Sequence, residues 1–411
     1  RKQMNKTRLK KYARLIARVG ANVQKGQNVL IVAELDQPEF VEMLVGECYK
    51  AGARRVFVDF GHQPLTKYTV RYCSDKTLGT LEDWQIARWN WQADTLPAKI
   101  YLMSEDPDGL AGINQKKFVS ASQKRRLIFK PYRNEMENKY QWCIAAVPGE
   151  AWARKVFPGE RTSTAVKKMW EAILKTARAD GEDPIAAWEA HNADLKKRYD
   201  YLNSLGIVAL EYKSSNGTDL RVGMIPNSVF HGGGDTSLLG NYFNPNIPSE
   251  EVYTSPKRGE AEGIVYATMP LSYQGELIEN FSMRFEGGKV VEVHAEKNED
   301  LLKEMVSMDD GAAYLGECAL VPYTSPINQT GILFYNTLFD ENARCHLALG
   351  AGFPETIKDF DQYTLDECRA MGINESMIHV DFMIGSDDMS IIAETKDGKK
   401  IPIFTNGVWS F

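Results

Sequence analysis

The sequence predicts an α/β protein of two domains. An N-terminal α/β domain with a mainly parallel sheet precedes a C-terminal α+β domain rich in antiparallel hairpins. Three observations predict this. Apolar runs alternate with helical periods before about residue 150, short alternating runs with turn residues follow residue 206, and 411 residues exceed what one core usually organises.

The first elements follow from periodicity. Apolar residues recur at helical spacing from Leu9 to Gly20, which indicates an amphipathic helix. A continuous apolar run at 28–33 predicts a strand covered on both faces, and a helix begins near Pro38, since proline suits the first helical turn. That helix ends at Gly52. Further strands are predicted at 55–59, 100–103 and 142–147.

The pattern changes near residue 206. Residues 149–205 have mostly helical spacing, and Gly206 ends the last helix. Strands at 207–212 and 219–222 follow, with hairpin turns at 286–288 and 396–398. We therefore predict an N-terminal domain over 1–205 and a C-terminal domain over 206–411.

Composition excludes several classes of function. Lys and Arg number 49 against 55 Asp and Glu, and a net charge of −6 does not fit a general nucleic-acid binder. No apolar run approaches the length of a membrane span, and the basic start from Arg1 to Arg18 lacks the apolar core of a signal peptide. The six cysteines show no CxxC spacing, which is typical of reduced thiols. We expect a cytoplasmic protein without membrane or nucleic-acid partners.

His379 and Asp381 lie in an apolar stretch that reads as a strand, so both side chains project from one face. They form half of a metal site or of an acid–base pair; the alternative is a polar strand facing solvent. The run from Asp340 to Gly350 predicts a short helix with His346 in its second turn, where a lone histidine is commonly a packed or surface residue. Glu251 and Glu317 read locally as solvated loop residues.

Several segments together resemble the aminopeptidase T / aminopeptidase S (PepS-like) family of metalloaminopeptidases. The resemblance runs in order over nearly the whole chain and is densest after residue 206. The segments are EEVYTSP at 250–256, LGE at 315–317, NTLFDEN at 336–342, HLALG at 346–350 and HVDFMIG at 379–385.

The resemblance implies a cytosolic exopeptidase that removes N-terminal residues from peptides through water activated by two divalent metal ions, and it implies a homodimer. Two residues would be both catalytic and ligands, Glu251 and Glu317. The full set of metal ligands that it implies is Glu251, Glu317, His346, His379 and Asp381.

The chemistry of this set agrees with that expectation. Three carboxylates and two imidazoles suit Zn²⁺, Co²⁺ or Mn²⁺. If one carboxylate bridges, five ligands give three contacts per ion and leave each ion an open position. Two ions about 3.5–4 Å apart can hold a bridging hydroxide and polarise a carbonyl.

One departure stands out. Seven residues after the histidine of the motif, the family has a tyrosine that assists the tetrahedral intermediate, whereas this chain has Phe353. Phenylalanine has no hydroxyl and cannot donate to an oxyanion. Phe353 is therefore a candidate substrate-pocket residue, and either another group donates, or the enzyme is slow, or its substrate is unusual.

Two alternatives stay open. A mononuclear Fe(II) ring-cleaving dioxygenase on the same scaffold would need only His346, His379 and Asp381. A metal-binding homologue with weak or lost peptidase activity is compatible with Phe353. Retention of both Glu251 and Glu317 favours two metals over the dioxygenase.

Overall fold

The computed structural model describes residues 5–411. Residues 1–4, part of the basic start considered above, lie outside the described residues. The chain forms two compact units: residues up to Glu189 with Gly234–Pro248 (unit 1), and Ala190–Gly233 with Ser249–Phe411 (unit 2). The predicted domain division at 205/206 stays a prediction.

The strands of both units are given in chain order. They are β1 Asn28–Glu34, β2 Arg55–Gly61, β3 Ala98–Met103, β4 Trp142–Ala146, β5 Ile207–Lys213, β6 Asp219–Met224, β7 His231–Gly232, β8 Asp235–Thr236, β9 Tyr242–Phe243, β10 Asn246–Ile247, β11 Val252–Thr254, β12 Pro256–Tyr266, β13 Leu271–Tyr273, β14 Glu276–Glu286, β15 Lys289–Lys297, β16 Leu315–Leu320, β17 His346–Gly350, β18 His379–Met383, β19 Ser390–Thr395, β20 Lys400–Thr405 and β21 Val408–Trp409.

The α-helices are also given in chain order, and the first continues as a π-helical segment over Ile16–Gly20. They are α1 Lys6–Leu15, α2 Pro38–Lys50, α3 Gln63–Tyr72, α4 Asp75–Leu78, α5 Asp83–Thr95, α6 Gln115–Met136, α7 Glu150–Val156, α8 Thr162–Thr176, α9 Pro184–Ser204, α10 Glu299–Val306, α11 Pro326–Gln329, α12 Thr337–Asp340 and α13 Leu365–Met371.

Unit 1 is built on a parallel five-stranded sheet in the order β10-β4-β3-β1-β2. Val29, Leu30 and Ile31 of β1 are all buried, because strands pair with both edges of β1 and apolar residues cover both of its faces. The predicted α/β domain with a mainly parallel sheet is confirmed, as are its strands at β1 to β4. The edge strand β10 pairs with β4, although the two strands are about a hundred residues apart in the sequence.

Unit 2 is antiparallel. A nine-stranded sheet runs in the order β13-β14-β12-β6-β5-β19-β20-β21, with β15 paired to β14. The predicted hairpin turns join β14 to β15 and β19 to β20. Gly287, Gly288 and Gly398 have positive φ angles there, which glycine adopts without strain. A second, five-stranded sheet has the order β18-β17-β16-β11-β7.

Candidate metal centre

The predicted ligands lie on or directly beside the strands of the five-stranded antiparallel sheet of unit 2. Glu317 of β16 and Asp381 of β18 both lie opposite Ala348 of β17. Opposed residues share a face of a sheet, and so do residues two apart along a strand. The side chains on this face, which we call the ligand face, include those of Glu251, Glu317, His346, His379 and Asp381.

The opposite face of the same strands is apolar. Its side chains belong to the main hydrophobic core of unit 2, so burial fixes which face each strand presents. A register slip of one residue would place the carboxylates in the apolar core and the core side chains among the ligands. The residues that anchor the register are Val252, Cys318, Leu320, Leu347, Leu349 and Phe382.

The helix predicted around His346 is wrong. Helix α12 ends at Asp340, and strand β17 begins at His346. Leu347 and Leu349 are fully buried and alternate with the ligand-face residues, which is the two-residue period of a strand. A run this short fits either period, so the sequence pattern was ambiguous. Asp340 is not a helix cap either; its carboxylate accepts the N–H of Phe334 at 2.9 Å.

The local reading of the two glutamates as solvated loop residues is also wrong. Glu317 lies inside β16 and is 4% exposed, and Glu251 immediately precedes β11 with 14% of its side chain exposed. A β-bulge hides the strand pattern around Glu317, because the pairing shifts between Leu315 and Glu317. Gly316 occupies the bulge, where a Cβ atom would lie 2.3 Å from the Ala351 oxygen.

The five side chains form two groups that share one member. His346 Nε2 lies 3.2 Å from Glu251 Oε2, and His379 Nε2 lies 3.2 Å from both Glu317 Oε2 and Asp381 Oδ1. Within each group the potential ligand atoms lie within 4.8 Å of one another, and Glu317 belongs to both. The groups are Glu251–Glu317–His346 and Glu317–His379–Asp381.

Backbone carbonyls orient both imidazoles. His379 Nδ1 lies 2.8 Å from the Ala351 oxygen, and His346 Nδ1 lies 3.2 Å from the Arg344 oxygen. When each Nδ1–H donates to its carbonyl, Nε2 faces the carboxylates. This is the arrangement that metal-ligating histidines use to fix their tautomer and ring orientation.

Burial and mutual charge perturb the acidic members. Burial raises the pKa of Glu317 to about 7, and the neighbouring carboxylates of Glu251 and Asp381 add to that rise against His379. Burial also acts to raise the pKa of Asp381, but His379 and His346 outweigh it and lower the pKa to about 2. Buried carboxylates this close to one another need positive charge to balance them.

In the metal-free chain, the two imidazoles provide this positive charge by being protonated. Burial acts to lower the pKa of His346, but Glu251 and the other carboxylates raise it to about 9. Asp381 and Glu317 outweigh burial at His379 and raise its pKa to about 11. Asp381 Oδ1 is buried and accepts no hydrogen bond of acceptable geometry from the described residues. This oxygen and the mixed N/O donors fit a divalent cation.

Glu341 is a member of the site that sequence reasoning missed. Its carboxyl group shares a hydrogen bond with Asp381, and burial, followed by the charges of Glu251 and Asp381, raises the pKa of Glu341 well above its ordinary value. Glu341 therefore helps to position the Asp381 carboxylate. Its place in the NTLFDEN segment, five residues before His346, was the available signal.

The same segment supports the backbone beside Glu251. The buried Asn342 side chain accepts the N–H of Glu250 at 2.7 Å and donates to the Leu338 oxygen at 3.1 Å. Ser325 Oγ donates to the backbone oxygen of Asn342 at 2.7 Å. Segment 336–342, which includes α12, thus holds the backbone next to Glu251 in position.

Phe353 lies at the edge of this site. Its ring centroid is 5.0 Å from that of His379, and its N–H donates to Ser255 Oγ at 2.8 Å. A cavity of about 350 Å³ is lined by His379, Asp381 and Glu341 together with apolar residues that include Leu271 and Leu333. Its volume suits a small-molecule or side-chain pocket.

Comparison with known proteins decides the family. The family model described as thermophilic metalloprotease (M29) matches residues 5–409. The chain belongs to this family. It is 40% identical to aminopeptidase AmpS of Bacillus subtilis (strain 168) over 98% of both chains. Its fold matches the solved structure of wild-type AmpT from Thermus thermophilus with a TM-score of 0.90 and 37% identity, over 99% of this chain and 100% of that one.

A more distant likeness concerns the fold alone. The 2,5-dihydroxypyridine dioxygenase from Pseudomonas putida KT2440 aligns over 98% of this chain and 96% of its own with a TM-score of 0.50, at 12% identity.

Membership of the M29 family confirms three predictions: the resemblance, the α/β fold and the class of enzyme, a metal-dependent aminopeptidase. The family implies divalent metal binding, and the two groups above are possible ligands. Within residues 5–411, no helix combines the length and apolarity needed to cross a membrane.

Proposed function

We propose that this M29 enzyme removes N-terminal residues from peptides at a centre of two divalent metal ions. The observation that carries the proposal is the position of Glu317, the one carboxylate shared by both ligand groups. A shared carboxylate is what a bridged pair of ions requires, whereas two unrelated sites would have separate ligands.

The ligand sets follow from the two groups. Glu251, Glu317 and His346 hold one ion, and Glu317, His379 and Asp381 hold the other. Three protein ligands per ion leave open positions, which distinguishes a catalytic site from a structural one. The N/O donor set suits Zn²⁺, Co²⁺ or Mn²⁺. When bound, such ions lower the pKa of water and polarise the scissile carbonyl.

The chain's own residues prepare the centre. The carbonyls of Ala351 and Arg344 hold the imidazoles with Nε2 toward the carboxylates, where it would be available to a cation. Glu341 contacts Asp381 through a side-chain hydrogen bond and would thereby orient that ligand. Phe353 beside His379 bounds the substrate pocket. A free peptide amine is a suitable additional ligand for a cation with an open position, which favours an exopeptidase.

The test pairs two substrates. The protein, treated with a chelator and reloaded with Zn²⁺, Co²⁺ or Mn²⁺, should hydrolyse an aminoacyl p-nitroanilide and leave its N-acetyl derivative intact. Equal hydrolysis of both substrates would contradict the exopeptidase assignment. Full activity after chelation, with no metal by elemental analysis, would contradict the metal requirement.

The dioxygenase alternative requires His346, His379 and Asp381 around one iron. Among residues 5–411, no group of potential ligands combines all three, because His346 groups with the glutamates and not with Asp381. One bound iron per chain, with oxygen consumption on a dihydroxylated aromatic ring, would favour this alternative. A homologue with lost peptidase activity would bind metal and cleave neither test substrate.

Two further parts of the proposal concern organisation. We assign the whole metal site to the predicted domain over 206–411, and access and dimer contacts to the domain over 1–205. The homodimer rests on the family resemblance, and sedimentation of the purified protein as a monomer would remove it.

A further inference from the structure

Tyr253 is a polar aromatic residue on the ligand face that the ligand sets do not use. It follows Glu251 by two residues on the same side of the chain, and in register it lies opposite Ala319. Ala319 in turn lies opposite His346. One row across the sheet therefore reads Tyr253, Ala319, His346.

The small side chain of Ala319 leaves space over the middle of this row. Opposed side chains in adjacent strands are about 4.5–5.5 Å apart at Cβ, and diagonal neighbours about 7–8 Å apart. Glu317, two residues before Ala319, is such a diagonal neighbour of Tyr253. By register, Tyr253 is therefore next to Glu317 and Glu251 on the ligand face, and Ala319 is the one residue between Tyr253 and His346 in this row.

Aromatic contacts connect Tyr253 to the other group. The rings of Tyr253 and Phe353 form a T-shaped pair, with centroids 5.8 Å apart and planes at 75°. The centroid of the Phe353 ring lies 5.0 Å from that of His379. His231 lies on another side of Tyr253 at 6.2 Å. Ser255, two residues after Tyr253, accepts the N–H of Phe353. Tyr253 and Phe353 thus form one aromatic rim beside the ligands, and Tyr253 carries its only hydroxyl.

We propose that the Tyr253 phenol donates the hydrogen bond to the oxyanion of the tetrahedral intermediate, the role that a tyrosine at position 353 would have. This inference rests on the proposed function. Water oxygen adds to the carbonyl carbon, the C–N bond breaks, and the leaving amine takes a proton from that water. The phenol keeps its own proton throughout and stabilises only the developing negative charge.

The competing reading is that Tyr253 packs against Phe353 and His231 as an aromatic wedge. Phenylalanine would then serve as well as tyrosine. The Tyr253→Phe variant removes only the oxygen, so it separates the readings without a cavity.

The experiment compares Tyr253→Phe, Phe353→Tyr and the double variant, with Tyr363→Phe as control because Tyr363 is exposed and belongs to no strand of the sheet that carries the ligand face. We expect Tyr253→Phe to lower kcat on an aminoacyl p-nitroanilide about 10²-fold with KM nearly unchanged, as loss of one oxyanion donor does. The double variant should regain at least about tenfold, since the hydroxyl returns on the other ring of the rim. Tyr363→Phe should match the unaltered protein.

A binding measurement gives a readout besides activity. Calorimetric affinity for an aminophosphonic acid, whose tetrahedral oxygens resemble the intermediate, should weaken in Tyr253→Phe by about the factor lost in kcat, while affinity for the product amino acid stays constant. Metal content should equal that of the unaltered protein.

Three results would overturn the inference: kcat within threefold in metal-loaded Tyr253→Phe, equal weakening for inhibitor and product, or loss of metal from that variant. The first indicates packing, the second general binding, and the third support of the ligands. If the unaltered protein hydrolyses no aminoacyl substrate, the proposed function fails first, so the two failures are distinguishable.

Discussion

The two five-stranded sheets place side chains in opposite ways. In the parallel sheet of unit 1, consecutive residues Val29, Leu30 and Ile31 are all buried, so both faces are committed to packing. In the antiparallel sheet of unit 2, Leu347 and Leu349 pack into the core while His346 lies on the ligand face. A sheet with two apolar faces has no room for a charged cluster. The alternating strands commit only one face to the apolar core, and all five proposed ligands share the other face.

The largest effect is expected when Glu317, the ligand shared by both groups, is replaced. Glu317→Gln keeps the shape of the side chain but cannot bridge two cations, so activity should fall by more than about 10³-fold, above the loss typical of one oxyanion donor. The melting temperature of the metal-free chain should not fall, because burial already raises the pKa of Glu317 to about 7. Elemental analysis and kcat/KM check both.

The matched control is Glu304→Gln, since Glu304 is exposed on α10. It should leave metal content and activity unchanged. Full metal content in Glu317→Gln would break the claim that this carboxylate joins the two groups.

The next test uses pH. Without metal, His346 and His379 have pKa values of about 9 and 11, so both are protonated at pH 7. Each ion must displace one of these protons, so loading both ions should release roughly two protons per chain, and the apparent affinity for each ion should fall about tenfold per pH unit as the pH drops below about 9. Calorimetry in buffers of different ionisation enthalpy measures the release. No proton release at pH 7 would place the metal elsewhere.

A third test compares one alanine from each sheet. Ala348 separates Glu317 from Asp381 on the ligand face, and Ala145 lies within β4 of the parallel sheet; both are fully buried. Ala348→Val should weaken metal binding on the order of 10–100-fold, as changes beside metal ligands do. Ala145→Val should instead lower the free energy of unfolding by about 1–3 kcal/mol through overpacking, with metal affinity intact.

Denaturant unfolding and metal titration on both variants decide this comparison. Equal effects of the two valines on metal affinity would show that the ligand face has no special space. If both valines lowered the free energy of unfolding equally and neither changed metal affinity, the conclusion would be the same.

The smallest expected effect is that of Phe353→Tyr alone. Because Tyr253 already supplies a hydroxyl to the aromatic rim, kcat should change by less than about threefold. A rise of tenfold or more would show that the donor was missing, and that Phe353 limits the enzyme.

Much of the fold, and part of the candidate site, could be predicted from local sequence patterns. The strand with His379 and Asp381 was readable because β-branched and apolar residues alternate with polar ones, and the strands of unit 1 because apolar runs are bounded by turn residues. His346 was placed wrongly on a helix, since the five residues of β17 fit both periods and only pairing with β16 and β18 selects the strand.

Other features depend on contacts distant in the chain. Strand β10 joins the parallel sheet by pairing with β4, about a hundred residues earlier, which no local pattern indicates. Glu341 belongs to the site through its side-chain hydrogen bond to Asp381, which lies 40 residues further along the chain. The ligand set itself came from the family resemblance, and the register of the sheet supplies its physical reason.

The number of metal ions bound per chain tests the central claim most directly. Titration of the chelator-treated protein with Mn²⁺, followed by elemental analysis after gel filtration, should give two ions per chain in the unaltered protein and less than one in Glu317→Gln. A single ion per chain in the unaltered protein, retained in full by Glu317→Gln, would contradict a bridged pair on the ligand face.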